Sequence, residues 1–158
     1  MSEADDDNFD PQFNGILHLE DQDFTSDGKL NLQGELSGKP VIVMVFATWC
    51  GPCRSTKPHY AELFKELNGK DVIIACINGS GETTLDSEQK LMKRIKNIIP
   101  DFRGFPHIAI FDDEGEYVDS HNGPRTTQAL KGTIESYQSK SKMHKKNPSV
   151  RRQDRKRL

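Results

Sequence analysis

Apolar positions fall into two rhythms along this chain. Val41-Ile42-Val43-Met44-Val45-Phe46 is an unbroken apolar run rich in β-branched residues, long enough for a strand covered on both faces and too short for most helices. Beyond Cys53 the spacing changes to three and four residues through Tyr60, Ala61, Leu63, Phe64 and Leu67, the stripe of an amphipathic helix. Residues 72–77 form a second continuous run, so strand, helix and strand make a β-α-β unit with parallel strands. Gly79, Ser80 and Gly81 end that strand. Asp86 is then expected to cap a helix with Gln89 reaching back, and Leu91, Met92, Ile95, Ile98 and Ile99 mark its buried face as far as Pro100. Residues 108–111 and 117–120 flank Asp112-Asp113-Glu114-Gly115 and predict an antiparallel hairpin with a glycine-bearing turn. Leu130, Ile134 and Tyr137 share one face of a closing helix entered near Thr126 or Thr127. Upstream, residues 16–19 form a short strand candidate, and Asp27-Gly28 signals a tight turn between two extended pieces. The order predicts an α/β sandwich, a central mixed β-sheet flanked by helices.

The chemistry sits where the first apolar run stops. Cys50 and Cys53 follow it directly, with Cys50 at the start of the predicted helix. Unpaired backbone N–H groups and the helix dipole favour an anion there, and the thiolate is the reactive form of cysteine. Cys50 is therefore the expected nucleophile. Gly51 and Pro52 allow the tight turn that keeps two thiols within reach, and Pro52 suits the first helical turn because its missing N–H costs little there. Cys53, one turn into the helix and more covered, is expected to resolve a mixed disulfide. Trp49 is expected to shield Cys50 and offer an apolar contact to a substrate. His59 reads as a surface residue of the helix, and His107 as a candidate modulator of the dithiol. A bare Cys-x-x-Cys also occurs in zinc sites, but these need further ligands at matching spacing, and Cys76 stands alone. No metal is expected.

At Trp49-Cys50-Gly51-Pro52-Cys53 the sequence resembles the thioredoxin family, whose active-site signature is WCGPC. Gly104-Phe105-Pro106 stands where that family has its cis-proline loop, and Gly123 where it has a glycine lining the substrate groove. The resemblance covers residues 16–138. It implies a thioredoxin-like sandwich and a thiol-disulfide oxidoreductase with Cys50 and Cys53 catalytic. It also implies that Trp49, Gly51, Pro52, Phe105, Pro106 and Gly123 meet the substrate, and that no organic cofactor is needed. A cis bond before Pro106 would hold the backbone of Phe105 open as an edge for a substrate peptide. Asp27-Gly28-Lys29-Leu30, Leu36 and Gly38-Lys39 are similar to the entry to the active-site strand in the peroxiredoxin and nucleoredoxin branches. One departure stands out. Thioredoxins usually carry a buried Asp six residues before the nucleophilic cysteine, commonly paired with a Lys on the neighbouring strand; here the positions hold Met44 and Cys76. An apolar residue there removes a general base for the resolving thiol and spares the cost of burying a charge. Cys76 is expected to be an inert core thiol.

Composition adds the ends. A chain of 158 residues with 34% hydrophobic content suits one domain, expected over residues 11–139, between an acidic disordered tail at 1–10 and a basic disordered tail at 140–158. The net charge of −2 hides an asymmetry, since residues 1–27 hold nine carboxylates and no Lys or Arg, while residues 140–158 carry nine basic side chains against Asp154. The basic stretch reads as a solvated terminus, as an address for an import receptor, or as a polyanion-binding arm. Without interleaved aromatics it gives no support to sequence-specific nucleic-acid reading. No segment approaches the ~20 apolar residues of a membrane span and no signal peptide is read, so a cytoplasmic or nuclear compartment and no membrane partner are expected. The expected activity is disulfide reduction on protein substrates, with an upstream thiol reductase. The competing reading is a non-enzymatic interaction protein in which the same domain is a docking module.

Overall fold

The computed structural model describes residues 13, 15–31, 33–36, 38–81 and 84–146, with backbone alone for residue 35 and residues 141–146. The chain divides between Asn122 and Gly123 into two compact units. The first holds strands and helices in the order β1 (Leu17–His18), β2 (Val41–Phe46), α1 (Gly51–Leu67), β3 (Ile73–Asn78), α2 (Asp86–Lys93), α3 (Ile95–Ile98), β4 (His107–Phe111) and β5 (Tyr117–Ser120). They build one mixed sheet of order β1-β3-β2-β4-β5. β1, β3 and β2 run parallel, and β4 and β5 are antiparallel additions. This is the expected α/β architecture.

Every residue of β2 and β3 is buried, because both faces of the sheet are covered and each face takes alternate side chains. On one face Val41, Val43, Val45, Ile73, Ala75, Ile77, Ala109 and Phe111 pack into a core with Leu91, Ile95, Ile98 and Ile99. The other face carries Ile42, Met44, Phe46, Ile74 and Cys76, in register as Ile42 beside Ile74 and Met44 beside Cys76. Helix α1 covers it with Cys53, Thr56, Lys57, Tyr60 and Leu63. The Tyr60 hydroxyl lies within donating distance of the Ile42 carbonyl at 3.0 Å and of the Ala75 carbonyl at 2.6 Å. It can therefore be buried without leaving its proton unshared.

The region from Asp86 to Pro100 differs from the single capped helix expected. Leu85 is the N-cap, and its N–H donates to the Glu88 carboxylate at 3.1 Å, while Gln89 donates to the Thr84 carbonyl. Any backbone N–H can be served this way, so the cap does not need Asp86 or Gln89. The helix also breaks at Arg94 (φ −116°, ψ 19°) into α2 and α3. The Arg94 guanidinium donates to the Asp21 carboxylate at 2.7 Å and to the carbonyls of Thr25, Asp21 and Phe24. Those four acceptors, all from one upstream segment, offset the helical bonds lost at the break.

The hairpin matches its reading. Asp112 accepts from the N–H groups of Glu114 and Glu116 at 2.9 and 3.0 Å, and Gly115 takes a φ of +84°. A Cβ on Gly115 would stand 2.2 Å from the Leu30 carbonyl oxygen, and the Leu30 N–H donates to the Gly115 carbonyl at 2.8 Å. Only glycine allows that approach. The Asp27-Gly28 turn is also present, with Phe24 bridged antiparallel to Leu30.

The second unit holds α4 (Thr127–Lys146). Thr126 starts it by accepting from the Ala129 N–H at 3.1 Å, and Leu130 and Ile134 are buried. The helix runs past residue 139, so the basic stretch expected to be an unstructured tail begins as helix. Lysines are good helix formers and are favoured at a C-terminal turn. The acidic segment 1–10 and the basic residues beyond 146 lie outside the described residues. No described helix is long and apolar enough to cross a membrane.

Candidate active site

β2 ends at Phe46, and four residues later the chain reaches Cys50, the N-cap of α1, in an extended conformation (φ −89°, ψ 119°). Its Sγ accepts a hydrogen bond from the Cys53 N–H at 3.1 Å. The sulfur thus takes up one of the helix's unpaired donors, as a capping oxygen would, and sits at the positive end of the dipole. All three cysteines are free thiols. Cys50 is 6% exposed and Cys53 fully covered, with Gly51 and Pro52 exposed between them. A sulfur on a substrate can reach Cys50 before it can reach Cys53.

Electrostatics holds back the second thiol. The Cys53 thiol is pushed up to about 12. Burial is the main cause, followed by the hydrogen bond it shares with Cys50; repulsion from Cys50 adds to these, and the Ala47 backbone and the Lys57 ammonium work the other way. Two of the raising causes involve Cys50 itself. They vanish once Cys50 is bound in a mixed disulfide, because its sulfur then carries no charge and accepts no thiol proton. Cys53 is therefore held protonated in the resting dithiol and released when its turn comes.

Trp49 is 62% exposed, so it does not lie folded over the thiol as a cover. Its indole N–H donates to the Ser80 carbonyl at 3.0 Å, and its ring meets that of Phe105 edge-on, centroids 5.4 Å apart. Ser80 also accepts the Thr48 N–H on its hydroxyl at 2.8 Å, and the Asn78 carboxamide holds Ser80 through the Ser80 N–H and hydroxyl. Asn78 and Ser80 thereby fix the loop that carries Trp49 into Cys50. The sequence reading missed both. The signal was Asn78-Gly79-Ser80-Gly81 at the end of a buried strand, a cluster of turn formers on the side of the sheet that carries the chemistry.

The Phe105–Pro106 bond is cis, as the resemblance implies. β4 begins at the next residue, and His107 lies beside Val45 in the antiparallel pair, so Phe105 and Pro106 stand at the end of the sheet where β2 hands over to Cys50. Phe105 packs between Trp49 and Phe102, whose rings are 5.4 and 5.6 Å away, and over Gly79, where a Cβ would stand 2.7 Å from its ring. The six residues 49–53 and 106 with Phe105 thus share one end of the sheet. Gly123 opens the second unit with a φ of +103° and open space where a Cβ would stand.

His107 does not modulate the dithiol directly. Its register beside Val45 puts it on the face of the sheet away from α1. There its Nε2 is 2.7 Å from the Ser120 hydroxyl and 3.6 Å from Asp101, and Asp101 accepts from Tyr117 at 2.6 Å and from Ser120 at 2.9 Å. Burial holds the His107 ring below its usual range, Asp101 opposing and Arg103 adding to the effect. Met44 and Cys76 are adjacent and fully buried beneath α1, in the layer where the resemblance leads one to expect a charged pair.

Relatives agree with the geometry. The thioredoxin family model matches residues 16–136. The chain is similar to the protein disulfide-isomerase erp38 of Neurospora crassa, 35% identical over 100 residues that make 62% of this chain and 24% of that protein. It is similar to the putative thioredoxin-like protein 453L of Invertebrate iridescent virus 6, 33% identical over 106 residues, 61% of this chain and 75% of that one. Thioredoxin f2 of Chlamydomonas reinhardtii shares the fold, with a TM-score of 0.55 at 20% identity over 78% of this chain and 97% of that one. The chain spans less than a third of the length of the disulfide isomerases it matches. A match that takes in the dithiol, the cis-proline and every described strand of the sheet shows the family, and the chain belongs to the thioredoxin family.

Proposed function

We propose that this protein is a protein-disulfide reductase working through the Cys50/Cys53 dithiol. The observation that carries the reading is the pairing of an N-cap sulfur, stabilised by the Cys53 N–H, with a second thiol kept covered and protonated behind it. The Cys50 thiolate attacks one sulfur of a substrate disulfide, and the other sulfur leaves with the electron pair. Cys53 then attacks Cys50, the mixed disulfide breaks, and the substrate departs reduced by two electrons while Cys50 and Cys53 are left as a disulfide. Trp49 and Phe105 supply an aromatic rim on which an apolar stretch of substrate rests. The Gly51-Pro52 dipeptide resembles the reducing members of the family, which supports this direction of flow and an upstream thiol reductase to restore the dithiol. A cytoplasmic or nuclear setting suits such a reductase. The basic residues beyond 139 serve an import receptor or a polyanion.

The test is a pair of substitutions. Cys50→Ser is expected to abolish reduction of a generic protein disulfide, and Cys53→Ser to accumulate substrate adducts on Cys50 visible by intact-protein mass spectrometry. Full turnover by Cys50→Ser would end the reading, and no turnover by the unmutated protein would favour the docking module.

A further inference from the structure

We infer that Lys57 is a positioning residue for the resolving step, holding a positive charge beside the Cys53 thiolate in the layer where Met44 replaces a carboxylate. The inference rests on the reductase reading above. Lys57 follows Cys53 by four residues in α1, so the two side chains lie one above the other on the same helix face. Both are buried, Lys57 at 8% exposure, on the stripe they share with Thr56, Tyr60 and Leu63. The amphipathic pattern wants an apolar residue there, and lysine is seldom so covered. Its ammonium stands 4.8 Å from the centre of the Phe46 ring and 5.8 Å from that of Phe13. Those two ring faces hold the charge inside, where a long side chain would otherwise carry it out to water. Phe46 is on the sheet face of Met44 and Cys76, so the charge lies between α1 and the sheet, as Cys53 does.

Other titratable groups face this layer. His18 pairs with Cys76 in register and its ring lies 6.2 Å from that of Phe46. Tyr60 and Cys50 stand on α1 itself, and Asp119 is exposed on the outer strand β5, beside Ile110. The chemistry asks for a cation rather than a second base. In the mixed disulfide, Cys53 gives its proton to solvent and its sulfur attacks the Cys50 sulfur. The Cys50–Cys53 bond forms, the bond to the substrate sulfur breaks with the electron pair leaving on that sulfur, and the sulfur takes up a proton. Lys57 exchanges no proton; its charge lowers the cost of a thiolate formed under cover, and its field at Cys53 has that sign.

The experiment mixes the reduced full chain with one equivalent of dithiobis(nitrobenzoate) and follows release of the coloured thiolate. The first release reports attack by Cys50 and the second resolution by Cys53, so the first is the internal reference. Lys57→Met removes the charge and keeps an unbranched chain; Lys57→Gln does the same with a polar end should the first variant not fold. Loss of a nearby opposite charge raises a thiol by about one unit. The thiolate fraction then falls about tenfold while its intrinsic nucleophilicity rises about threefold. The second release is thus expected to slow about threefold at neutral pH, with its pH profile displaced upward by about one unit, and Lys57→Arg to restore both. A second release that keeps its rate and profile in the neutral variants overturns the inference and leaves the dithiol reading standing. Failure of either release in the unmutated protein overturns that reading itself.

Discussion

Met44→Asp puts the missing carboxylate back, and both of its effects can be worked out from the surroundings of Met44. The side chain is fully buried, flanked in the sheet by Cys76 and Ile108, so a carboxyl there loses nearly all its water. Replacing the methionine forfeits packing worth about 2 kcal/mol, the low end for a buried Met truncation because Asp refills part of the space. Full burial raises a carboxyl by roughly three units, and each unit is worth about 1.4 kcal/mol. The folded-state value lies above the unfolded one of about 3.9. The ionisation penalty is therefore absent below about pH 4, grows with pH through the folded-state value and is constant above it. Urea unfolding should show a deficit of about 2 kcal/mol at low pH and about 6 at neutral pH. Measuring it also in the Lys57→Met background removes the ammonium held in that layer, which would otherwise offset the burial. The same variant supplies a base beside the resolving thiol, so its resolving step should quicken, by as much as about a hundredfold for a well-placed base. A deficit equal at both pH values in both backgrounds, or an unchanged resolving step, refutes the account of why Met44 matters.

Gly79→Ala drives a Cβ to 2.7 Å from the Phe105 ring and 3.1 Å from the Met92 methyl. The methionine can yield, but the ring is held between Trp49 and Phe102. A loss of about 1–3 kcal/mol is expected, together with a shift in the fluorescence of Trp49, the chain's single tryptophan; an unchanged emission spectrum would contradict the packing described. His107, held low chiefly by burial, contributes stability that is complete above its unfolded value of about 6.5 and lost as pH falls through the folded one. His107→Gln should therefore flatten the fall in urea midpoint between about pH 8 and about pH 5, and an equally steep fall in the variant would assign the dependence to other groups.

The strands were legible because Val41–Phe46 and residues 72–77 are apolar without interruption, which a sheet covered on both faces demands. Cys50 at the helix start could be read from the change of rhythm alone, whereas the cis bond at Pro106 came through resemblance, no local pattern separating it from a trans proline. What escaped was decided by partners far away in sequence. Periodicity carried one helix through Arg94, and only the acceptors between Asp21 and Thr25 explain the break. The same rule that finds buried stripes assigns lysine to water, so Lys57 could not be seen as part of the core without Phe13 and Phe46 in place. Asn78 and Ser80 look like ordinary turn residues until Trp49 is found hanging from them.

The Arg94 clamp bears on the order in which the molecule is made. The segment it grips, Asp21 to Thr25, leaves the ribosome some seventy residues earlier, and β1, just before it, pairs among the described residues with β3. While β2 and α1 are being synthesised, the segment has only its local bridge from Phe24 to Leu30, and neither Arg94 nor β3 has yet emerged. The segment that leads in synthesis is thus among the last to be secured. A nascent chain stalled before Arg94 should leave residues 21–25 open to protease, and one stalled well beyond it should protect them.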